Sequence, residues 1–157
     1  EIVVDVNQGG TFAQLQAFAP ALADLGVAMI EQPLPRGGDA ELEGFHSPVP
    51  LCADESCLSA AEFDVAAPRY QVINIKLDKC GGLTEALDIA RLAEARGLDA
   101  MVGNMMGTSL AMAPGYVVAQ LCRFVDLDGP CFLSRDREHA MSYDNGLLSQ
   151  PTPALWG

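Results

Sequence analysis

Asp5, Glu31 and Asp54 each close an apolar run: Ile-Val-Val, Val-Ala-Met-Ile and Pro-Leu-Cys-Ala. A carboxylate at the carboxyl end of an otherwise buried strand gains nothing from packing, because taking a charge out of water is costly unless it is paired. One such residue caps a helix or begins a turn; three at the same place in successive units point to convergence on one cation. The separations set the size of the unit: 26 residues from Asp5 to Glu31, 23 from Glu31 to Asp54 and 22 from Asp54 to Lys76. A strand, its loop, a helix and the return loop in a (β/α)₈ barrel take about 30 residues, and active sites of that fold lie at the strand carboxyl ends. Oxygen ligands with no His or Cys among them favour Mg²⁺ or Mn²⁺ over zinc.

The rest of the chain repeats this unit. Residues 2–4 read as a strand, and Thr11 caps a helix to about Leu25, with Phe12, Leu15, Phe18, Leu22 and Leu25 on one face and Gly26 ending it. Strand 27–30 is followed by the turn-rich Pro33-Leu34-Pro35-Arg36-Gly37-Gly38 and a short helix from Asp39. Strand 50–53 leads to a helix opened by Ser59, with Glu62 at the capping-box position. Strand 71–77 has a continuous β-branched core, as a strand covered on both faces should. Gly81-Gly82 then precedes helix 83–96, and strand 100–103, helix 108–121 and strand 124–127 complete the series. Six βα units are visible where a closed barrel takes eight, so the fold class is α/β, an incomplete TIM-type barrel. Residues 1–130 are expected to form the partial barrel and 131–157 a polar, Pro-containing tail. A chain that opens on a strand without an initiator Met reads as a portion of a longer protein.

Composition excludes several classes. Half the residues are hydrophobic, but no apolar run approaches the ~20 residues of a membrane span, and no basic-then-apolar signal segment opens the chain. A net charge of -12 argues against nucleic acid or an anionic membrane as partner. The 5 cysteines are an odd number with no CxxC pair, so they read as reduced packing residues of a cytoplasmic protein.

Asn74 and Lys76 share one face of an alternating strand, which points both inward at the mouth if that strand lines a barrel. A lysine there, partly desolvated and near a cation, is expected to have a lowered pKa and to work as a general base near neutral pH. Lys79, beyond the strand and toward the glycine pair, is expected to face solvent or a loop.

Five stretches in order, Asp5-Val6-Asn7-Gln8-Gly9, Ile30-Glu31-Gln32-Pro33, Ala53-Asp54-Glu55-Ser56, the Lys76 strand with Gly81-Gly82, and Asp126-Leu127-Asp128-Gly129-Pro130, resemble the enolase superfamily. Within it the chain is similar to the muconate-lactonizing subgroup and its dipeptide epimerases of the L-Ala-D/L-Glu type. The resemblance implies strands 3 to 8 of a barrel, with Asp5, Glu31 and Asp54 as Mg²⁺ ligands and Mn²⁺ as an alternative. Lys76 would be one of two acid/base lysines facing each other across the substrate α-carbon, acting through a metal-stabilised enediolate. Asp126 and Asp128 would hold the ammonium of a dipeptide, Asn104 would line the substrate pocket, and Asn7 and Glu55 would support the ligands. The resemblance leaves oligomeric state open and admits a homo-oligomer.

The departures are equally specific. The family carries its other lysine in a Lys-x-Lys element on the second barrel strand and caps the mouth with an N-terminal domain, and this chain has neither. Gly10 stands where an aromatic residue would be unsurprising, and Asn104 where relatives often have Cys. An acid-sugar dehydratase would want a His after the fifth visible strand, where Gly103-Asn104-Met105-Met106 has none. An o-succinylbenzoate synthase or a muconate cycloisomerase would share the ligands and Lys76 without needing Asp126 and Asp128. A catalytically incomplete, non-enzymatic fragment is the competing reading from another class.

Overall fold

The computed structural model describes residues 1–157. Six parallel strands lie side by side in chain order, β1 (Ile2–Asp5), β2 (Val27–Glu31), β3 (Leu51–Ala53), β4 (Val72–Lys76), β5 (Asp99–Gly103) and β6 (Phe124–Val125). Between them run α1 (Phe12–Asp24), α2 (Phe63–Ala66), the single turn α3 (Leu77–Cys80), α4 (Leu83–Ala95) and α5 (Ser109–Ala119). Strictly sequential parallel order with helical crossovers is barrel topology, since each right-handed crossover places the next strand beside the last. The sheet curls without closing: β1 and β6 are its edges and do not pair, so the fold is an incomplete TIM-type barrel.

Alternation along the strands decides what each face carries. Ile30, Leu51, Ala53, Ile73, Ile75 and Val102 point outward into a core of 26 buried residues shared with the helices. At about 1.5–3 kcal/mol for each large side chain fully buried, this layer carries most of the stability. Met29, Cys52, Val72, Met101 and Phe124 point the other way and form a separate five-residue floor on the concave side. One pleat further along the same face stand Glu31, Asp54, Asn74 and Gly103, and one pleat beyond Asn74 stands Lys76, at the carboxyl end of β4. Parallel register keeps these ends level, with Asp5 opposite Glu31 and Lys76 opposite Gly103.

Several local readings of the sequence need correcting. Thr11 does cap α1, in a reciprocal capping box with Gln14, but Phe18 and Leu25 are exposed rather than packed. Asp39 opens only a 3₁₀ turn, and Ser59 makes no cap bond, because Glu62 accepts instead from the Leu58 amide and pairs with Arg36. The sixth strand is two residues long, so Asp126, Leu127 and Asp128 follow it as loop. Residues after Pro130 are ordered against the barrel: hairpin β7 (Tyr143–Asp144) and β8 (Leu147–Leu148) precedes α6 (Pro153–Trp156). Met141 is buried, the Ser109 side chain accepts from its amide, and the Tyr143 hydroxyl donates to the Leu127 carbonyl. Cations are paired along the helical surface too, as in Arg96 with Asp64.

Candidate active site

The strand-end residues line a concave cleft of about 490 Å³, walled by Asp5, Glu31, Lys76 and Asp126 above Met101 and Phe124. Glu31 and Asp54 are almost wholly buried, at 5% and 2% exposure, whereas Asp5 on the edge strand is exposed. Burial, with smaller contributions from the charges of Asp5 and Asp54, pushes Glu31 up to about 7, against the opposing pull of Asn74 and Lys76. Asn74 donates to Glu31 at 2.6 Å, and its own Oδ1 is buried without a partner. As the side chains stand, no three His, Cys, Asp or Glu groups converge closely enough to enclose a metal ion.

Lys76 lies across this cleft, 2.8 Å from Asp54 and 3.9 Å from Glu31. Its pKa runs opposite to the sequence expectation. Burial pushes it down, but the hydrogen bond to Asp54 and the charges of Asp54, Glu31 and Glu55 together raise it. A lowered value belongs to a lysine beside a cation; beside bare carboxylates the balance reverses. Room for this side chain comes from Gly103, where a Cβ would sit 2.9 Å from Lys76 Cε and 2.7 Å from Asn74 Oδ1.

Lys79 does not face solvent or a loop. The turn of α3 brings its ammonium back to 2.9 and 3.0 Å from the two oxygens of Asp54 and 3.8 Å from Glu55. The four-residue helix after Lys76 returns the third residue along to the same side, and the sequence reading treated this stretch as loop. Glu55 keeps a second buried oxygen without a partner. Around Asp5, Asn7 adopts a left-handed conformation, φ 47°, and its amide donates to the carboxylate at 2.7 Å. Gly10 has no room for an aromatic, since a Cβ there would come within 2.6 Å of the Pro33 carbonyl oxygen that its own amide binds.

At the far side of the cleft, burial raises Asp126, and the charge of Asp128 raises it further. Asn104 holds this loop at both ends: its side-chain amide donates to the Asp126 carbonyl at 2.8 Å and accepts from Gly129 at 3.0 Å. Sequence reasoning gives Gln32 no role beyond its place in the Ile30-Glu31-Gln32-Pro33 stretch, yet the structure buries it fully.

The family model of the enolase C-terminal domain-like proteins matches residues 1–151. The chain belongs to that family. It is 48% identical over 157 residues, its whole length, to an N-acetyl-D-glutamate racemase of a Pseudoalteromonas species, covering 50% of that relative. To the L-Ala-D/L-Glu epimerase of Escherichia coli K12 it is 46% identical over 147 residues, 94% of this chain and 46% of the relative. Among solved structures, an enolase family member from Agrobacterium tumefaciens with homology to dipeptide epimerases, bound to sodium and L-Ala-L-Glu, superposes with a TM-score of 0.96. It is 46% identical, and the match covers 100% of this chain and 48% of that one. A dipeptide epimerase from Methylococcus capsulatus, complexed with Mg and L-Arg-D-Lys, gives a TM-score of 0.88 at 34% identity over 94% of this chain and 44% of that one. The chain thus spans about half the length of the curated relatives it matches. No helix is long and apolar enough to cross a membrane.

Proposed function

We propose that these residues form the cation-holding half and one acid/base group of a cytoplasmic dipeptide epimerase acting on L-Ala-D/L-Glu-type substrates. The observation that carries this reading is Lys76, set between Asp54 and Glu31 on the inward face of β4 and across a cleft from Asp126. The donor set fits a hard divalent cation, because three carboxylates meet one strand-end layer and Glu31 is raised to about 7, chiefly by burial and in smaller part by the other two. Asp5, Glu31 and Asp54 would hold Mg²⁺, with Mn²⁺ as the alternative. Such a cation supplies Lewis-acid stabilisation of the charge that builds on a substrate carboxylate as its α-proton leaves.

The chain's own groups then divide the work. Lys76 Nζ takes the proton from the substrate α-carbon, or returns it, on the face that β4 presents. With Asp54 and Glu31 bare it is held protonated; relief of their charge is what frees it to act as base. Burial and the charge of Asp128 raise the cost of ionising Asp126, a condition that an alkylammonium between the two carboxylates would relieve. Asn104 fixes their loop, Asn7 orients Asp5, and Glu55 stands beside Lys79, which contacts Asp54. Only two lysines occur, and both contact Asp54. Proton transfer on the opposite face therefore falls to a group in the remainder of a longer protein, together with the residues that close the mouth and choose the dipeptide side chains.

The test is deuterium wash-in at the α-carbon with the full-length protein, Mg²⁺ and either L-Ala-L-Glu or N-acetylglutamate. Exchange into the dipeptide, with the N-acetylated substrate at least tenfold slower, is the expected result. Equal exchange into both, or exchange into N-acetylglutamate alone, would move the reading to an N-acyl amino acid racemase and remove the ammonium role of Asp126 and Asp128.

A further inference from the structure

Gln32 occupies the point where the ladder between β2 and β3 ends. Backbone pairing runs through Ile30 with Leu51 and Glu31 with Cys52, and the Gln32 amide still donates to the Cys52 carbonyl at 2.9 Å. There the backbone of Gln32 turns to φ 33°, a left-handed value that costs a residue other than glycine some strain. The chain thus leaves the sheet, and the amides of Asp54 and Ser56 lose their neighbouring strand. The Gln32 side chain replaces it, accepting at Oε1 from Asp54 N at 2.9 Å and from Ser56 N at 3.1 Å.

The other end of the same amide is anchored just as firmly. Its Nε2 lies 2.8 Å from the Leu34 carbonyl, 2.9 Å from Ser56 Oγ and 3.2 Å from the Tyr70 hydroxyl. Tyr70 in turn donates to Asp39 at 2.8 Å, and Asp39 is paired with Arg69 at 2.9 Å. Gln32, Tyr70 and Asp39 are all at most 2% exposed. Two N–H donors on one side and acceptors on the other leave a single orientation for the amide.

We infer that Gln32 is a positioning residue for the cation centre, setting the distance between Glu31 and Asp54 through the Asp54 and Ser56 amides rather than through either carboxylate. The inference rests on the cation reading given above. A side chain that only fills space would need neither the strained backbone nor five polar partner atoms, and a group orienting metal ligands from behind typically changes affinity by about 10–100-fold when removed.

Full-length protein titrated with Mn²⁺ by electron paramagnetic resonance tests this. Gln32→Met should weaken Mn²⁺ at least tenfold and change the spectrum of the bound ion. Gln32→Glu, isosteric and keeping the acceptor oxygen, should recover most of that affinity and also serves if Gln32→Met fails to fold. Tyr70→Phe, which loosens the same buried network without touching the Asp54 amide, should lower thermal stability but leave the spectrum unchanged. Parent-like Mn²⁺ affinity in Gln32→Met, affinity in Gln32→Glu as weak as in Gln32→Met, or an altered spectrum in Tyr70→Phe overturns the inference alone. Absence of Mn²⁺ binding to the parent, or parent-like binding by Asp54→Asn run in parallel, overturns the cation centre itself and the inference with it.

Discussion

The two sides of the cleft hold their acidic pairs in opposite ways. Glu31 and Asp54 sit at the ends of central strands, nearly sealed from water, with Asn74, Lys76, Lys79 and Gln32 each bonded to a named atom. Asp126 and Asp128 follow a two-residue edge strand, both are exposed, and their loop is tied down chiefly by Asn104. In the proposed reading, a centre that would hold a small ion at fixed distances has two of its three carboxylates buried and closely bonded. In the same reading, a subsite that would receive a flexible substrate lies on a loop, where Asp126 and Asp128 put like charges side by side.

The comparison can be broken at its centre first. Removing the proposed acid/base group, Lys76→Ala in the full-length protein, is expected to lower α-proton exchange by about 10²–10⁴-fold, measured by mass spectrometry in D₂O. Exchange within threefold of the parent would mean that Lys79 or another group does this work. On the loop side the effect should be smaller. Asp128→Asn is expected to lower dipeptide kcat/KM by about 10–100-fold, the range for losing a hydrogen bond to a charged partner, while Mg²⁺ affinity stays put. A parallel fall in cation affinity would show that the two sides are not separable.

Crowding the floor between them should act on packing as well as chemistry. Gly103→Ala pushes a methyl into Asn74 and Lys76, and overpacking of this kind costs about 1–3 kcal/mol. Urea denaturation should show that loss, and a neutral result would mean that the Lys76 side chain has other room to lie in. The smallest change belongs to the outer surface: Arg91→Ala breaks an exposed i,i+3 pair with Asp88 and should alter stability by no more than about 1 kcal/mol. A larger effect would mean that the helical layer contributes in a way its contacts do not show.

Legibility followed the same division. The inward carboxylates and Lys76 could be read from sequence because a charge ending an apolar run is costly without a partner, and the βα spacing fixed their common level. Thr11 and its capping box were local signals and stood. Lys79 was misplaced because its direction depends on one turn of helix after Lys76, too short to leave a periodic pattern. The Gln32, Tyr70 and Asp39 chain went unseen because its members are 38 and 31 residues apart, joined by hydrogen bonds that follow no sequence period. The last strand came out too long because Leu127, apolar and buried, packs beneath α5 from a loop rather than a strand; a Cβ on Gly115 would come within 2.9 Å of it.

The central claim is that Asp5, Glu31 and Asp54 together make a cation centre. Isothermal titration of Mg²⁺ into the full-length protein and its Asp54→Asn variant tests it most directly. One site in the parent and a loss of at least tenfold in affinity in the variant is the result this account requires; equal affinity in the two would contradict it.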